Sequence, residues 1–143
     1  MLYKQNEQGG KNLKKDRLLN PAILQAVASL GHTEYLCIGD CGLPVPKGVQ
    51  VIDVSVAAGI PHFIDVLRTI SDELVVESAI VATEIKDMNP STLRQIGDIL
   101  GNCPITDVAH EDFKMMMSKA KYVIRTGETS PYANIILIGG VNF

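Results

Sequence analysis

Apolar and polar positions alternate between two periods along this chain. In NPAILQAVASLG (20–31), Ile23, Leu24, Val27 and Leu30 fall on one helical stripe. Asn20 stands where an N-cap is wanted, Pro21 at the first helical position and Gly31 at the stop. NPSTLRQIGDILG (89–101) repeats that punctuation, with Asn89 as cap, Pro90 as start, Gly101 as stop and Leu93, Ile96 and Leu100 facing inward. GIPHFIDVLRTI predicts a third helix with Pro61 near its first turn and Ile64 and Leu67 on its apolar face. HEDFKMMMSKA predicts a fourth, its acidic residues at the favourable N-terminal end. Between the helices lie short apolar runs bounded by turn residues, which read as strands: YLCIG, VQVIDVSV, ELVVESAIVATEI, PITDVA, YVIRTG and NIILIGG. The last is apolar throughout and so belongs in the middle of a sheet. CGLPVPKG, with two prolines and two glycines, must be a loop, and ETSPYA a turn. Strands alternating with helices indicate an α/β fold: a layered single domain with a mostly buried sheet covered by helices.

Composition narrows this picture. With 143 residues the chain fits one domain and needs neither disulfide nor metal to fold. It is 46% hydrophobic but only 5% aromatic, so the core is built from Ile, Val, Leu and Ala. Cys37, Cys41 and Cys103 form no C-x-x-C pair and read as reduced, mostly buried thiols. No apolar run approaches the ~20 residues that span a bilayer. The start, MLYKQNEQGGKNLKK, lacks the apolar stretch of a signal peptide, which predicts a cytoplasmic protein without membrane insertion. Residues 1–17 are polar and aperiodic and carry +3 of a net −3, leaving −6 on residues 18–143. So acidic a body is a poor nucleic-acid binder, and the basic start reads as a loosely attached arm.

The candidate chemistry is sparse. There is no G-x-x-x-x-G-K-[ST], G-x-G-x-x-G or G-x-S-x-G. His32, Cys37 and Cys41 lack the second ligand pair of a zinc site. Cys41 is a poor nucleophile beside Asp40, because a carboxylate opposes thiolate formation. General acid–base chemistry fits better. His32 and His110 stand at element boundaries, and Asp40 closes a buried strand, where α/β sheets place their ligand crevices. His62 reads as a surface or capping residue at a helix opening. The residues leave plain alternatives open: His32 as a helix C-terminal cap, and SPYAN as no more than a turn.

Four segments together resemble the D-ribose pyranase family: LGHTEYLCIGDCGLPVP, VVESAIVATEIKDMNP, AHEDFK and VIRTGETSPYANIIL. The resemblance spans residues 13–143 and leaves 1–12 as a flexible N-terminal extension. DCGLPVP and SPYAN favour the ribose branch over the related L-fucose mutarotases. The resemblance implies a cytoplasmic isomerase that interconverts pyranose and furanose D-ribose through ring opening, with neither cofactor nor metal. His32 matches the family's proton donor, and Asp40, His110, Tyr132 and Asn134 match its sugar contacts. The family forms homo-oligomeric rings, commonly pentamers stacked as decamers, with sites near subunit contacts. An all-apolar C-terminus running to Phe143 also favours association. Two features depart from the pattern: Ala109 precedes His110, and the start reads NLKKDRLLN where members tend to begin Met-Lys-Lys. On this reading the strand 35–39 holds His32 and Asp40 at one rim. A sugar-binding accessory of a transporter is the rival reading, using the same polar residues without the proton shuttle.

Overall fold

Asn20 caps the first helix, α1 (Pro21–Ser29), by accepting the Ile23 N–H at 3.0 Å. The computed structural model describes residues 17–143, so the expected extension over 1–12 lies outside the described residues. After α1 come β1 (Tyr35–Gly39), β2 (Gln50–Asp53), α2 (Phe63–Ser71) and β3 (Val76–Ala82). Then follow α3 (Ile85–Met88), α4 (Pro90–Leu100), β4 (Ile105–Val108), α5 (His110–Met117), β5 (Tyr122–Arg125) and β6 (Ile135–Gly139).

The strands form one six-stranded sheet in the order β2-β5-β1-β6-β3-β4. β6 is central, as its apolar run predicts. It pairs antiparallel with β1 (Cys37↔Ile136) and with β3 (Ala79↔Leu137), while β2, β5 and β1, and β3 and β4, pair parallel. Five strands therefore point one way and β6 alone points back. The carboxyl ends of β1, β4 and β5 share one rim with the amino end of β6. The amino ends of β1 and β3 share the opposite rim with the carboxyl end of β6.

The two faces are covered unequally. On one, Leu36, Ile38, Ile124, Ile135 and Leu137 pack with Ile23 of α1, Phe63 and Leu67 of α2, Ile85 of α3 and Ile96 of α4. On the other, Cys37, Val123 and Ile136 pack with Phe113 and Met117 of α5 and with Leu43 of the loop after β1. Each such large side chain, fully buried, contributes ~1.5–3 kcal/mol of transfer free energy.

Several local expectations are corrected. ELVVESAIVATEI is not one strand: β3 ends at Ala82, and its last residues turn into the one-turn α3. Pro61 stands near the first turn of α2, as expected, one residue before the N-cap position and after a cis Ile60–Pro61 bond. Asn89 makes no side-chain cap to α4; its amide donates instead to Ser130 Oγ (3.0 Å) and the Pro131 carbonyl (2.8 Å). His62 holds the N-cap position of α2 without a side-chain cap bond. All three cysteines are free, but only Cys37 is buried, and burial pushes its thiol well above the usual range. Finally, the C-terminal apolar run is consumed by the sheet. Ile135, Ile136 and Leu137 are wholly buried, leaving only Val141 and Phe143 exposed at its end.

Candidate active site

At the rim formed by the carboxyl ends of β1 and β4, four of the five expected side chains meet. A cleft of about 380 Å³ is lined by Asp40, Leu43, Pro44, Met88, His110, Pro131, Tyr132 and Asn134. Register explains the convergence. Asp40 follows the last residue of β1, and Asn134 precedes the first residue of β6, which pairs beside it (Ile38↔Ile135). The Asp40 N–H donates to Asn134 Oδ1 at 2.8 Å, which fixes the orientation of an almost fully buried amide. A Cβ on Gly39 would stand 2.5 Å from Leu43 Cδ2 and 3.1 Å from Asn134 Oδ1, so a larger residue at this junction would push against both side chains. His110 is the first residue of α5, reached from β4 through Ala109. Its backbone N–H donates to both carboxylate oxygens of Glu84 (3.0 and 3.2 Å), and its ring meets the Tyr132 ring edge-on, centroids 5.1 Å apart. Tyr132 itself has φ +56°, a left-handed conformation that costs a non-glycine residue of order 1–3 kcal/mol and marks functional segments.

Two carboxylates near this rim are tuned in opposite directions. Burial raises the carboxyl of Asp40, and hydrogen bonds from the Gly42 N–H, Asn134 and the Leu43 N–H, with the nearby His110, offset only part of that. Glu128 is also partly desolvated, but the Phe63 N–H, the Ser130 N–H and hydroxyl, and His62 outweigh burial and hold it below the ordinary carboxylate range. Its Oε1 accepts the Phe63 N–H at 3.0 Å and so caps α2 from outside, while Oε2 accepts from Ser130 Oγ at 2.9 Å. Glu128 thus pins the turn that leads to Tyr132, and Asn89 holds the same turn from the other side.

His32 is elsewhere. It lies before β1 and Asp40 after it, so ~13 Å of strand separates the rims they occupy, at about 3.3 Å per residue. The expectation that one rim holds both is overturned, because residues flanking a strand leave it at opposite ends. Nor is His32 a helix cap: Leu30 closes α1, and the half-exposed His32 ring places Nε2 2.7 Å from Glu77 Oε1. The turn carrying it is held closely. Thr33 has φ +69°, its N–H donates to the Gly139 carbonyl at 2.8 Å, and a Cβ on Gly139 would stand 2.6 Å from the Gly31 carbonyl.

Comparison with known proteins is decisive about ancestry. Residues 13–142 match the model of the RbsD / FucU transport protein family. The chain belongs to that family. It is 49% identical over 131 residues to a D-ribose pyranase of Coprothermobacter proteolyticus, covering 92% of this chain and all of that one. It is 48% identical, over 92% of this chain, to a D-ribose pyranase of Symbiobacterium thermophilum. Its fold superposes on Bacillus subtilis RbsD complexed with D-ribose with a TM-score of 0.88, at 43% identity, covering 92% of this chain and all of that one. Against the fucose mutarotase of Streptococcus pneumoniae in complex with L-fucose the TM-score is 0.74, at 25% identity, covering 87% of this chain and 94% of that one.

Among the described residues no group of three or more His, Cys, Asp or Glu is gathered to hold a metal ion, and no helix is long and apolar enough to cross a membrane. A second cleft, about 260 Å³ between α1 and α2, is lined mainly by apolar side chains such as Leu18, Ile23, Val54 and Val66, with Arg17 and Asp65 among the rest. It lacks the convergent polar groups of the Asp40 cleft and suits a sugar less well. The sequence reading missed the supporting carboxylates Glu77, Glu84 and Glu128. The one available signal was their placement: each stands beside an apolar strand run, where a solvated charge has least reason to be.

Proposed function

We propose that the chain is a mutarotase that interconverts the pyranose and furanose forms of D-ribose by general acid–base catalysis. The observation that carries this reading is the Asp40–His110–Tyr132–Asn134 cleft in a chain nearly half identical to D-ribose pyranases over almost its whole length. The cleft suits a polyhydroxy ligand. A carboxylate accepts from sugar hydroxyls, the Tyr132 hydroxyl and Asn134 amide both donate and accept, and the His110 ring offers a further polar edge. Opening the sugar ring requires a proton delivered to the ring oxygen and one removed from the anomeric hydroxyl. The C1–ring oxygen bond breaks as C1=O forms, and closure on a different hydroxyl reverses the steps. Proton count and oxidation state are unchanged over the cycle. A positioned acid–base group contributes ~10²–10⁴-fold to such a step, and His is the side chain suited to it near neutral pH.

The proton shuttle in this reading is His32, and it acts on the cleft of a second copy of the chain. His32 and the cleft occupy opposite rims, so one protomer cannot use both on one sugar, whereas a homo-oligomer with rim against cleft can. The pentameric or decameric ring of the family is the assembly this favours, with the domain running over 13–143 and the enzyme working in the cytoplasm. Sedimentation yielding only a 15.5 kDa species at micromolar concentration would sink the shared site.

Saturation-transfer NMR on equilibrated ribose tests the activity: an enzyme exchanges magnetisation between ring forms, whereas a binding accessory does not. Running L-fucose beside D-ribose separates the two branches. Complementation tests the shared site. Mixed oligomers of the inactive variants His32→Gln and Tyr132→Phe should regain up to about a quarter of wild-type exchange, the share of contacts that pair an intact shuttle with an intact cleft at random. No recovery on mixing would assign both residues to one protomer's site.

A further inference from the structure

The His32 rim carries one interaction that the sugar cleft does not explain. Glu77 projects from β3, across β6, to within 2.7 Å of the His32 ring. It does so from an irregularity: β3 pairs Val76 with Gly139 and Ser78 with Ile138, so the register shifts at Glu77 and leaves it as the extra residue of a bulge. Bulges re-aim a side chain and concentrate beside active sites. The other half of the arrangement is also built against local preference. Thr33, a β-branched residue at φ +69°, follows His32 directly, and Gly139 and Gly140 let the turn and the bulge approach β6. Two irregular backbone segments thus bring one carboxylate to one imidazole nitrogen.

From this geometry we infer that Glu77 is the positioning residue for His32 and that Nδ1, not Nε2, is the nitrogen that exchanges protons with the sugar. The inference rests on the reading of His32 as the shuttle. Its chemistry follows from the donor inventory. An ionised carboxylate only accepts, so Nε2 must carry the hydrogen in this contact, and the neutral ring then presents a lone pair at Nδ1. When Nδ1 takes the anomeric proton, the imidazolium formed already faces a carboxylate. When it gives a proton to the ring oxygen, Nε2–H stays where it was. Glu77 touches neither sugar nor transferred proton. In a single chain both partners are half-exposed, so the pair adds little to folding stability.

That last point makes the test discriminating. Glu77→Ala, Glu77→Gln and His32→Gln are compared with the wild-type oligomer by ribose exchange NMR, thermal melting and ¹⁵N spectra of the histidine rings. Glu77→Ala should lower kcat ~10–100-fold, the usual cost of removing a partner that orients a functional histidine, with KM and melting temperature nearly unchanged. Glu77→Gln, whose side-chain carbonyl still accepts from Nε2–H, should recover part of the lost rate. The wild-type spectrum should show His32 protonated at Nε2 and bare at Nδ1, and Glu77→Ala should mix the two tautomers. The inference is overturned by a Glu77→Ala kcat within about twofold of wild type, by a loss confined to KM, or by wild-type His32 protonated at Nδ1. His32→Gln keeps the two failures apart. If it abolishes exchange while Glu77→Ala does not, the shuttle stands and its positioning residue falls; if it exchanges normally, the shuttle itself falls.

Discussion

The two ends of β1 are furnished differently. At the carboxyl end, Asp40 enters a cleft whose other walls come from the loop after β1, Met88 of α3, His110 of α5 and the turn that leads into β6, and its backbone is tied to Asn134. At the amino end, His32 stands half-exposed on a turn with one carboxylate partner. The first end is a concave place where a carboxylate, an imidazole, a phenol and an amide converge. The second presents one imidazole on a closely held turn, beside a cleft of about 310 Å³ lined by Thr33, Glu34, Tyr35, Lys119 and Lys121 that lacks the carboxylate, imidazole, phenol and amide set of the first. On the proposed reading the chemistry uses both ends, and association of copies is what brings them together.

The strongest attack on this contrast is to change His32 and spare the cleft. His32→Gln should lower the pyranose–furanose exchange rate by ~10²–10⁴-fold and leave ribose affinity, read by calorimetry, largely intact. A loss of affinity comparable to the loss of rate would mean that His32 binds sugar rather than moving its protons.

The converse change attacks the cleft. Asp40→Asn keeps the shape and the acceptor for the Gly42 N–H but loses charge-assisted bonds to sugar hydroxyls worth ~1.5–3 kcal/mol each, so affinity should fall along with rate. It should also show that this carboxylate is held at a cost. Because burial raises the carboxyl of Asp40 in the folded state, its ionisation works against folding. That penalty is absent below the unfolded-state pKa, grows as pH rises towards the folded-state value and is complete above it. The free Asp40→Asn variant should therefore melt higher than wild type at neutral pH, and the two should converge in acid. A lower melting temperature at pH 7 would show that Asp40 is structural.

Glu128 provides the contrasting control on the same side of the sheet. Its carboxyl is held below its ordinary range, so its contribution is present above the unfolded-state pKa and is lost as pH falls through the folded value. Glu128→Gln should cost ~2 kcal/mol at neutral pH by weakening bonds to a charged acceptor at the N-terminus of α2, with the difference fading in acid. Denaturant titrations at neutral and acid pH read it directly. The smallest effect belongs to the other end of β1. Thr33→Asn, which tolerates the left-handed conformation better, should raise stability by about 0.5–1 kcal/mol. A destabilised variant would show that the Thr33 side chain repays its backbone strain through contacts of its own.

Much of this molecule was legible in the sequence, for reasons that also explain what was not. α1 and α4 were readable because Asn-Pro starts and glycine stops are local signals, and β6 because an uninterrupted apolar run suits only a strand buried on both faces. Asp40 and His110 were marked by standing at element boundaries near the rim where crevices form, whereas Tyr132 and Asn134 were reached only through the resemblance to the D-ribose pyranase family. His32 was misplaced because it was grouped with Asp40 by nearness in sequence, whereas a strand between two residues separates them. The work of Glu77 was hidden because a one-residue bulge leaves no mark in an apolar run. Asn89 was read as a cap because its position is right for one; its partner is a turn some forty residues away, which spacing alone does not reveal.

β6 has a further consequence. Among the described strands it alone runs backwards, and its two ends are committed: Asn134 leads into it at the cleft, and Gly139 supports the His32 turn where it finishes. It is therefore a ruler. In the proposed assembly, the distance between the place where a protomer would receive a partner's histidine and the place where it would offer its own is set by five residues of pleated backbone, not by any loop. Along an assembly made by that contact, the spacing of successive sugar sites would be a strand length, unaltered by insertions in the surface turns and changed only by adding or removing residues in the sheet itself.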